Sequence, residues 1–334
     1  MTSNPQHAID IVAIGNAIVD VIATTDDAFL ERQGLIKGGM QLVDADQAQA
    51  LYARMGPGRE ISGGSAANTL AGAAALGMRC AFIGQVADDQ LGAVFSHDIR
   101  ANGVRFDTPP RDGEPPSGRC LILVSPDGER TMSTLLGASH YLSMESLDAD
   151  LVRSAKILYL EGYMWDPEEP RRVMREAIRV ARAAGVTVAM TLSVNFIIEL
   201  HRSDLQALLD DGLIDILFVN DEEVRCLPQI DDLEEAIAEV ARQVPLLVVT
   251  MGADGASALR GAERVSVAAE PVARVVDTTG AGDLFAAGFL AGHAGGREVE
   301  DCLRMGAIAA AEVIGHFGAR PEGDLKALVN EALG

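Results

Sequence analysis

The run Asp277, Thr278, Thr279, Gly280, Ala281, Gly282, Asp283 stands immediately before an apolar helical stretch at 284–291. Gly280 and Gly282 free the backbone for close approach. A helix N-terminus aims amide N–H groups and the positive end of its dipole at whatever lies above it. Such a loop cradles an anion. Asp283 would lie beside that anion, where a carboxylate can accept a proton from an attacking hydroxyl. The plainer alternative is that Asp283 caps the helix and the glycines only make a turn. The full seven-residue run is more specific than a bare Gly-x-Gly-Asp.

Elements must exist to hold that loop. Segment 10–14 is a β-branched run stopped by Gly15 and Asn16, and 17–23 resumes strand character. After Gly63 and Gly64, the Ala-rich stretch 65–76 reads as a helix ending at Gly77, followed by a strand at 79–85 and a helix at 91–101. From 151 onward strands and helices alternate: strands at 157–160, 187–192, 216–219 and 246–250, helices at 170–184 and 233–243. This pattern predicts βαβ units on a parallel sheet with helices on both faces. Two β-rich segments, 17–62 and 104–136, break the alternation and read as a small lid sheet. Within the second, 119–125 and 129–135 flank Pro126, Asp127 and Gly128 as a hairpin.

Other motifs follow in chain order, and together with the Asp277–Asp283 run they resemble the ribokinase-like (pfkB) sugar and nucleoside kinases. The resemblance spans residues 15–283 and implies one domain over 1–334, a three-layer α/β/α sandwich on a mostly parallel sheet with a β lid. Gly15, Asn16 and Asp20 match the family's first strand, where the Asp binds ribose hydroxyls. Gly63, Gly64 and Asn68, in Gly-Gly-Ser-Ala-Ala-Asn, match the N-terminal signature that meets the sugar. Asn220 and Glu223 match the N-x-x-E motif that organises Mg²⁺ and its waters. Thr250, Gly252 and Gly255 match the loop under the nucleotide. Three stretches are more similar to adenosine kinases than to ribokinase: 15–20, 129–132 and 160–165. On that resemblance Met132 and Tyr163 lie beside a purine, and Arg130 lies near the transferred phosphate. A flat apolar ligand needs such an apolar and aromatic slot. The chain departs from many relatives at Thr191, where an Asn faces the ATP phosphates; Asn195 is four residues on. Taken singly, each match also has a structural reading: a turn at Gly63 and Gly64, a solvated Glu223, packing at Tyr163 and Met132.

Other classes lack their residues. No G-x-x-x-x-G-K-[ST] occurs, and Lys37, Lys156 and Lys326 sit in none of the motifs, which excludes a Walker P-loop. No G-x-G-x-x-G follows the first strand, and no H-E-x-x-H occurs. With 49 acidic against 27 basic residues, the formal charge of -22 works against nucleic acid and anionic membranes as partners. Apolar residues at 48% suffice for a large core. Cys80, Cys120, Cys226 and Cys302 are far apart, which fits a reducing cytoplasm rather than a disulfide framework. Residues 1–10 carry no leader pattern.

The expectation is an ATP- and Mg²⁺-dependent kinase acting on the 5'-hydroxyl of a nucleoside, adenosine first. Asp283 is the expected base, with the amides of Gly280, Ala281 and Gly282, together with Arg130, holding phosphoryl charge. The family resemblance also implies K⁺ near the Asp277 loop. The rivals are a kinase of a free sugar such as ribose or fructose, and a silent nucleoside-binding protein on the same fold. A monomer and a homodimer fit the sequence equally.

Overall fold

The computed structural model describes residues 7–334, so the first six residues of the segment read as leaderless lie outside the described residues. The strands are β1 (Ile9–Ile14), β2 (Ile18–Thr24), β3 (Met40–Leu42), β4 (Arg59–Gly63), β5 (Cys80–Ile83), β6 (Val104–Phe106) and β7 (Gly118–Val124). They continue with β8 (Arg130–Leu135), β9 (Ala155–Glu161), β10 (Thr187–Thr191), β11 (Ile216–Asn220), β12 (Leu246–Thr250), β13 (Ala256–Arg260) and β14 (Glu263–Val267).

The large sheet runs β14-β13-β12-β11-β10-β9-β1-β5-β6, parallel from β12 to β6 and antiparallel at β13 and β14. Its central strands are buried on both faces, as apolar runs such as Ile-Val-Ala-Ile at 11–14 and Leu-Leu-Val-Val at 246–249 require. Alternate residues of β1 feed two separate cores: Ile11 and Ala13 on one face, Val12 and Ile14 on the other. The ribokinase-like α/β/α arrangement expected from the sequence is therefore present.

The helix Glu168–Ala184 shows how a sequence chooses its face. Pro170 stands in its first turn, Val173, Met174, Ala177, Ile178 and Ala181 are buried, and Gly185 closes it in the left-handed region at φ 71°. The helix Ala281–Ala294 is apolar all round and correspondingly buried, packed between the helices Ser65–Ala75 and Val299–Val313. Gly288 permits that contact, since a Cβ there would stand 2.3 Å from the Met305 carbonyl. Phe289 meets Phe218 of β11 edge to face at 5.4 Å. The helix that carries Asp283 is thus held rigidly against the sheet.

A second sheet, in the order β3-β8-β7-β2-β4, is formed by residues within 18–63 and 118–135. β7 and β8 make the expected hairpin, with Gly128 in its tip at φ 89°. The segment assigned to the lid from 104 onward needs correction. Val104–Phe106 pairs in parallel with β5 as the edge of the large sheet, where Phe106 packs on Phe82 and Phe95. A three-residue edge strand with alternating burial gives too short a pattern to assign to either sheet.

Candidate active site

A cavity of about 540 Å³ opens between the small sheet and the carboxyl ends of five adjacent parallel strands. Asn16 (just beyond β1), Glu161 (β9), Thr191 (β10), Asn220 (β11) and Thr250 (β12) all line it. Open α/β sheets bind ligands at this edge, because strand ends leave side chains and backbone groups unpaired there. The opposite wall is apolar: Ile18, Met40, Leu42, Ile122, Met132 and Leu136 come from the small sheet and the residue after it. Tyr163 and Phe196 extend that surface from the large-sheet side.

Asp283 lies in the first turn of its helix, on the cavity floor. Ser65 Oγ donates to its Oδ1 at 2.6 Å and Asn68 Nδ2 to its Oδ2 at 2.9 Å. Burial pushes its pKa up, while these two donors and the Arg320 charge oppose that rise by favouring the carboxylate. Gly280 occupies φ 80°, and a Cβ there would stand 2.6 Å from that of Ala319. Gly282 has open space above it and faces the cavity with Thr279. The loop is fastened from behind by Asp277, which accepts from Thr279 N at 3.0 Å and Gly318 N at 2.9 Å and pairs with Arg130.

Opposite lies the polyol-like part of the site. Asp20 lines the cavity, and its pKa is raised to about 6 by burial, against the pull of Arg320 and Arg130. A Cβ at Gly63 would stand 2.5 Å from the Asp20 carboxylate, so glycine is needed there. Gly64, at φ 95°, approaches the Asn16 carbonyl so closely that a Cβ would stand at 2.2 Å. The side-chain oxygens of Asn16 and Asn68 are buried without hydrogen-bond partners among the described residues. Buried acceptors of this kind are costly unless something donates to them.

Along the chain, residues 8–324 match the pfkB family of carbohydrate kinases. The chain belongs to that family. Among solved structures it is similar to an adenosine kinase from Sinorhizobium meliloti, at 50% identity and TM-score 0.90, over 97% of this chain and 99% of that one. A probable sugar kinase from Rhizobium etli CFN 42 is 45% identical, with TM-score 0.91 over 98% and 99% of the two chains. A guanosine-inosine kinase of Escherichia coli K12 is 29% identical over 262 residues, which is 75% of this chain and 60% of that protein. The pfkB protein is therefore an ATP-dependent kinase with an alcohol group as acceptor, within the range of nucleoside and sugar kinases.

Of the residues singled out in the sequence of this kinase, Asn16, Asp20, Gly64, Asn68, Met132, Tyr163, Asn220, Glu223, Thr250, Gly282 and Asp283 meet at the cavity. Gly63, Gly280 and Ala281 stand directly behind that wall, as neighbours in sequence of lining residues. Gly252 and Gly255 lie beyond it in the turn between β12 and β13, both at positive φ. Arg130 is engaged by Asp277 rather than open to the cavity, because the buried Asp277 carboxylate offers the guanidinium a charged partner. Thr191 lines the cavity, whereas Asn195 is outside the lining and its Nδ2 contacts Glu222 at 3.4 Å.

The N-x-x-E motif has a structural duty that its spacing alone conceals. Asn220 Oδ1 accepts from the amides of Glu222 and Glu223, and Glu223 Oε2 accepts from Asn220 N at 3.1 Å, a reciprocal helix cap. Burial raises Glu223 to about 7. Among the described residues no cluster of three or more His, Cys, Asp or Glu side chains is set to hold a metal. The single Glu223 carboxylate at the cavity would suit Mg²⁺, which keeps its waters and takes phosphate oxygens with one or two carboxylates.

Two further residues escaped the sequence reading. Glu161 is buried and accepts from Asn16 Nδ2 at 2.7 Å, Asn16 N at 3.3 Å and Ala66 N at 2.9 Å. It ties β9 to the turn after β1 and to the helix behind Gly64. Burial, together with the nearby Asp283 charge, raises its pKa to about 7 despite those donors. Its position as the last residue of an otherwise largely apolar strand was the available signal. Arg320 reaches the carbonyls of Ser62 at 2.8 Å and Ala67 at 2.5 Å, and its charge acts on Asp20 and Asp283. No motif surrounds it in the sequence.

Proposed function

We propose that this kinase transfers the γ-phosphoryl group of ATP to the 5'-hydroxyl of a nucleoside, adenosine first. One observation carries the reading: the cavity lining combines a polar set, Asp20, Asn16, Asn68 and Asp283, with an apolar set, Met132, Tyr163 and the small-sheet residues Ile18 and Ile122. A ribose fits the first set, and its hydroxyls would donate to the unpartnered Asn16 and Asn68 oxygens and to Asp20. A flat base fits the second, where ring contact and burial supply binding. The similarity to the Sinorhizobium meliloti adenosine kinase supports the same assignment.

In this reading Asp283 orients the attacking hydroxyl and takes its proton as the new O–P bond forms. Ser65 and Asn68 hold both carboxylate oxygens, so the side chain loses little freedom when substrate arrives. The amides of Gly280, Ala281 and Gly282, at the start of the helix, face the transferred phosphoryl charge. Glu223 would hold Mg²⁺ through water, and the ion when bound neutralises phosphate charge. The small sheet covers the site and keeps water from the transferred group. Cation dependence on K⁺ near the Asp277 loop forms part of the same proposal.

ADP release over a panel of adenosine, guanosine, inosine, ribose and fructose tests it. The expected result is turnover of nucleosides, adenosine best. Turnover confined to ribose or fructose would establish the sugar-kinase reading instead, and ligand binding without ADP release would establish a silent binder.

A further inference from the structure

Tyr163 belongs to a single 3₁₀ turn, Gly162–Trp165, and the residue three positions on is Asp166. Residues i and i+3 of a 3₁₀ turn lie on the same side, and both side chains do line the cavity. A base resting on Tyr163 therefore presents its edge toward Asp166. None of the roles assigned above uses this carboxylate.

Asp166 is held in a defined state by groups outside the cavity. Arg171 Nη1 lies 3.0 Å from His201 Nδ1, and a guanidinium can only donate, so Nδ1 is the acceptor. The neutral ring then carries its proton on Nε2, which donates to Asp166 Oδ1 at 3.0 Å. His201 sits where the helix Asn195–Asp210 departs from helical dihedrals, at φ −121° and ψ 20°, which brings its ring onto Asp166. Oδ2 of Asp166 has no hydrogen-bond partner among the described residues. His140 also lines the cavity; burial pushes its pKa down, against the opposing pull of the Asp166 charge.

We infer that Asp166 is a specificity-determining residue whose free oxygen accepts an N–H from the exocyclic amino group of the purine, with His201 as the residue that positions it. This rests on the nucleoside reading above and narrows it to a 6-aminopurine. Purine riboside leaves the carboxylate facing a C–H and a ring nitrogen, with no donor, whereas inosine presents a carbonyl acceptor at position 6 beside a ring N–H. The Asp166 side chain is 40% exposed, so water replaces part of the lost bond and the discrimination is on the order of tenfold, well below that of a fully buried site.

The test compares kcat/KM for adenosine, inosine and purine riboside, which lacks the 6-amino group, in wild type, Asp166→Ala and His201→Phe, with a melting curve for each. Wild type should favour adenosine over purine riboside by about tenfold, and Asp166→Ala should bring the ratio near one by lowering adenosine alone. His201→Phe should give a partial collapse of the same ratio. Equal losses on adenosine and purine riboside, with or without a lowered Tm, would assign Asp166 to structure and overturn the inference. A loss confined to inosine would show that the carboxylate reads a ring N–H, which also overturns it. No turnover of any nucleoside by wild type would overturn the nucleoside reading itself, and nucleoside turnover with an unchanged ratio would overturn only this inference.

Discussion

The two walls of the cavity are built on different physical principles. The large-sheet wall is polar and over-determined: Asp283, Glu161 and Asp277 each accept two or three hydrogen bonds or ion pairs, and glycines at 15, 64 and 280 permit contacts that no side chain would allow. The small-sheet wall is apolar apart from Asp20 of β2, and Met40 and Leu42 at its rim are about half exposed. The first wall fixes its carboxylates through several partners each. The second supplies area, which distinguishes a base from bulk water but tolerates displacement. In the function proposed above, phosphoryl transfer draws on the first wall and contact with a base draws largely on the second.

The largest test of that division is Asp283→Asn. It should lower kcat by about 10²- to 10⁴-fold while nucleoside affinity, measured calorimetrically, stays within a few-fold. A near-normal kcat in a folded variant would remove Asp283 from the chemistry and leave the polar wall a purely structural feature.

Asp20, the carboxylate that the small sheet contributes to the cavity from β2, offers a test of intermediate size. Its raised pKa means that the folded state keeps a proton which the unfolded chain loses in the ordinary aspartate range. Stability accordingly falls as pH rises from that range through about 6, while an ionised Asp20 is the better acceptor for sugar hydroxyls. For adenosine, kcat/KM should drop about tenfold per pH unit below about 6. Asp20→Asn should abolish that limb, lower kcat/KM above about pH 6 and raise Tm at pH 8. A limb unchanged in the variant would assign the titration to another group.

Tyr163→Ala probes the apolar surface where it continues from the small sheet onto the large-sheet side, and should have the smallest effect, about 0.5–1.5 kcal/mol beyond the area term for adenosine, with any turnover of free ribose unchanged. Parallel losses on adenosine and ribose together with a lowered Tm would show that Tyr163 packs the fold, and the contrast between the two walls would weaken.

The same contrast explains what could be read in advance. The strand and helix alternation of the second half was legible because fully buried parallel strands leave unbroken apolar runs, and the anion loop because two glycines and a carboxylate at the start of an apolar helix allow few other readings. Met132 and Tyr163 were found by resemblance alone, since an apolar residue in a strand or turn looks the same whether it meets a ligand or a core. Asn220 and Glu223 were recognised as a motif while their capping duty went unseen, although the spacing is also that of a capping box.

The sequence by itself determined the layered α/β architecture, the loop 277–283 and the positions of most polar residues around it, because each depends on local periodicity or on backbone conformations that only glycine adopts readily. Tertiary structure decided the rest. Glu161 became the clamp on Asn16 only when β9 lay beside β1, Arg130 met Asp277 only when the small sheet folded over the loop, and Arg320 reached Ser62 from the other end of the chain. These contacts join residues more than 100 positions apart, and no local pattern encodes them. A charged side chain at a strand end or in a loop is ordinarily solvated, and only the surrounding fold removes the water that would otherwise have been its partner.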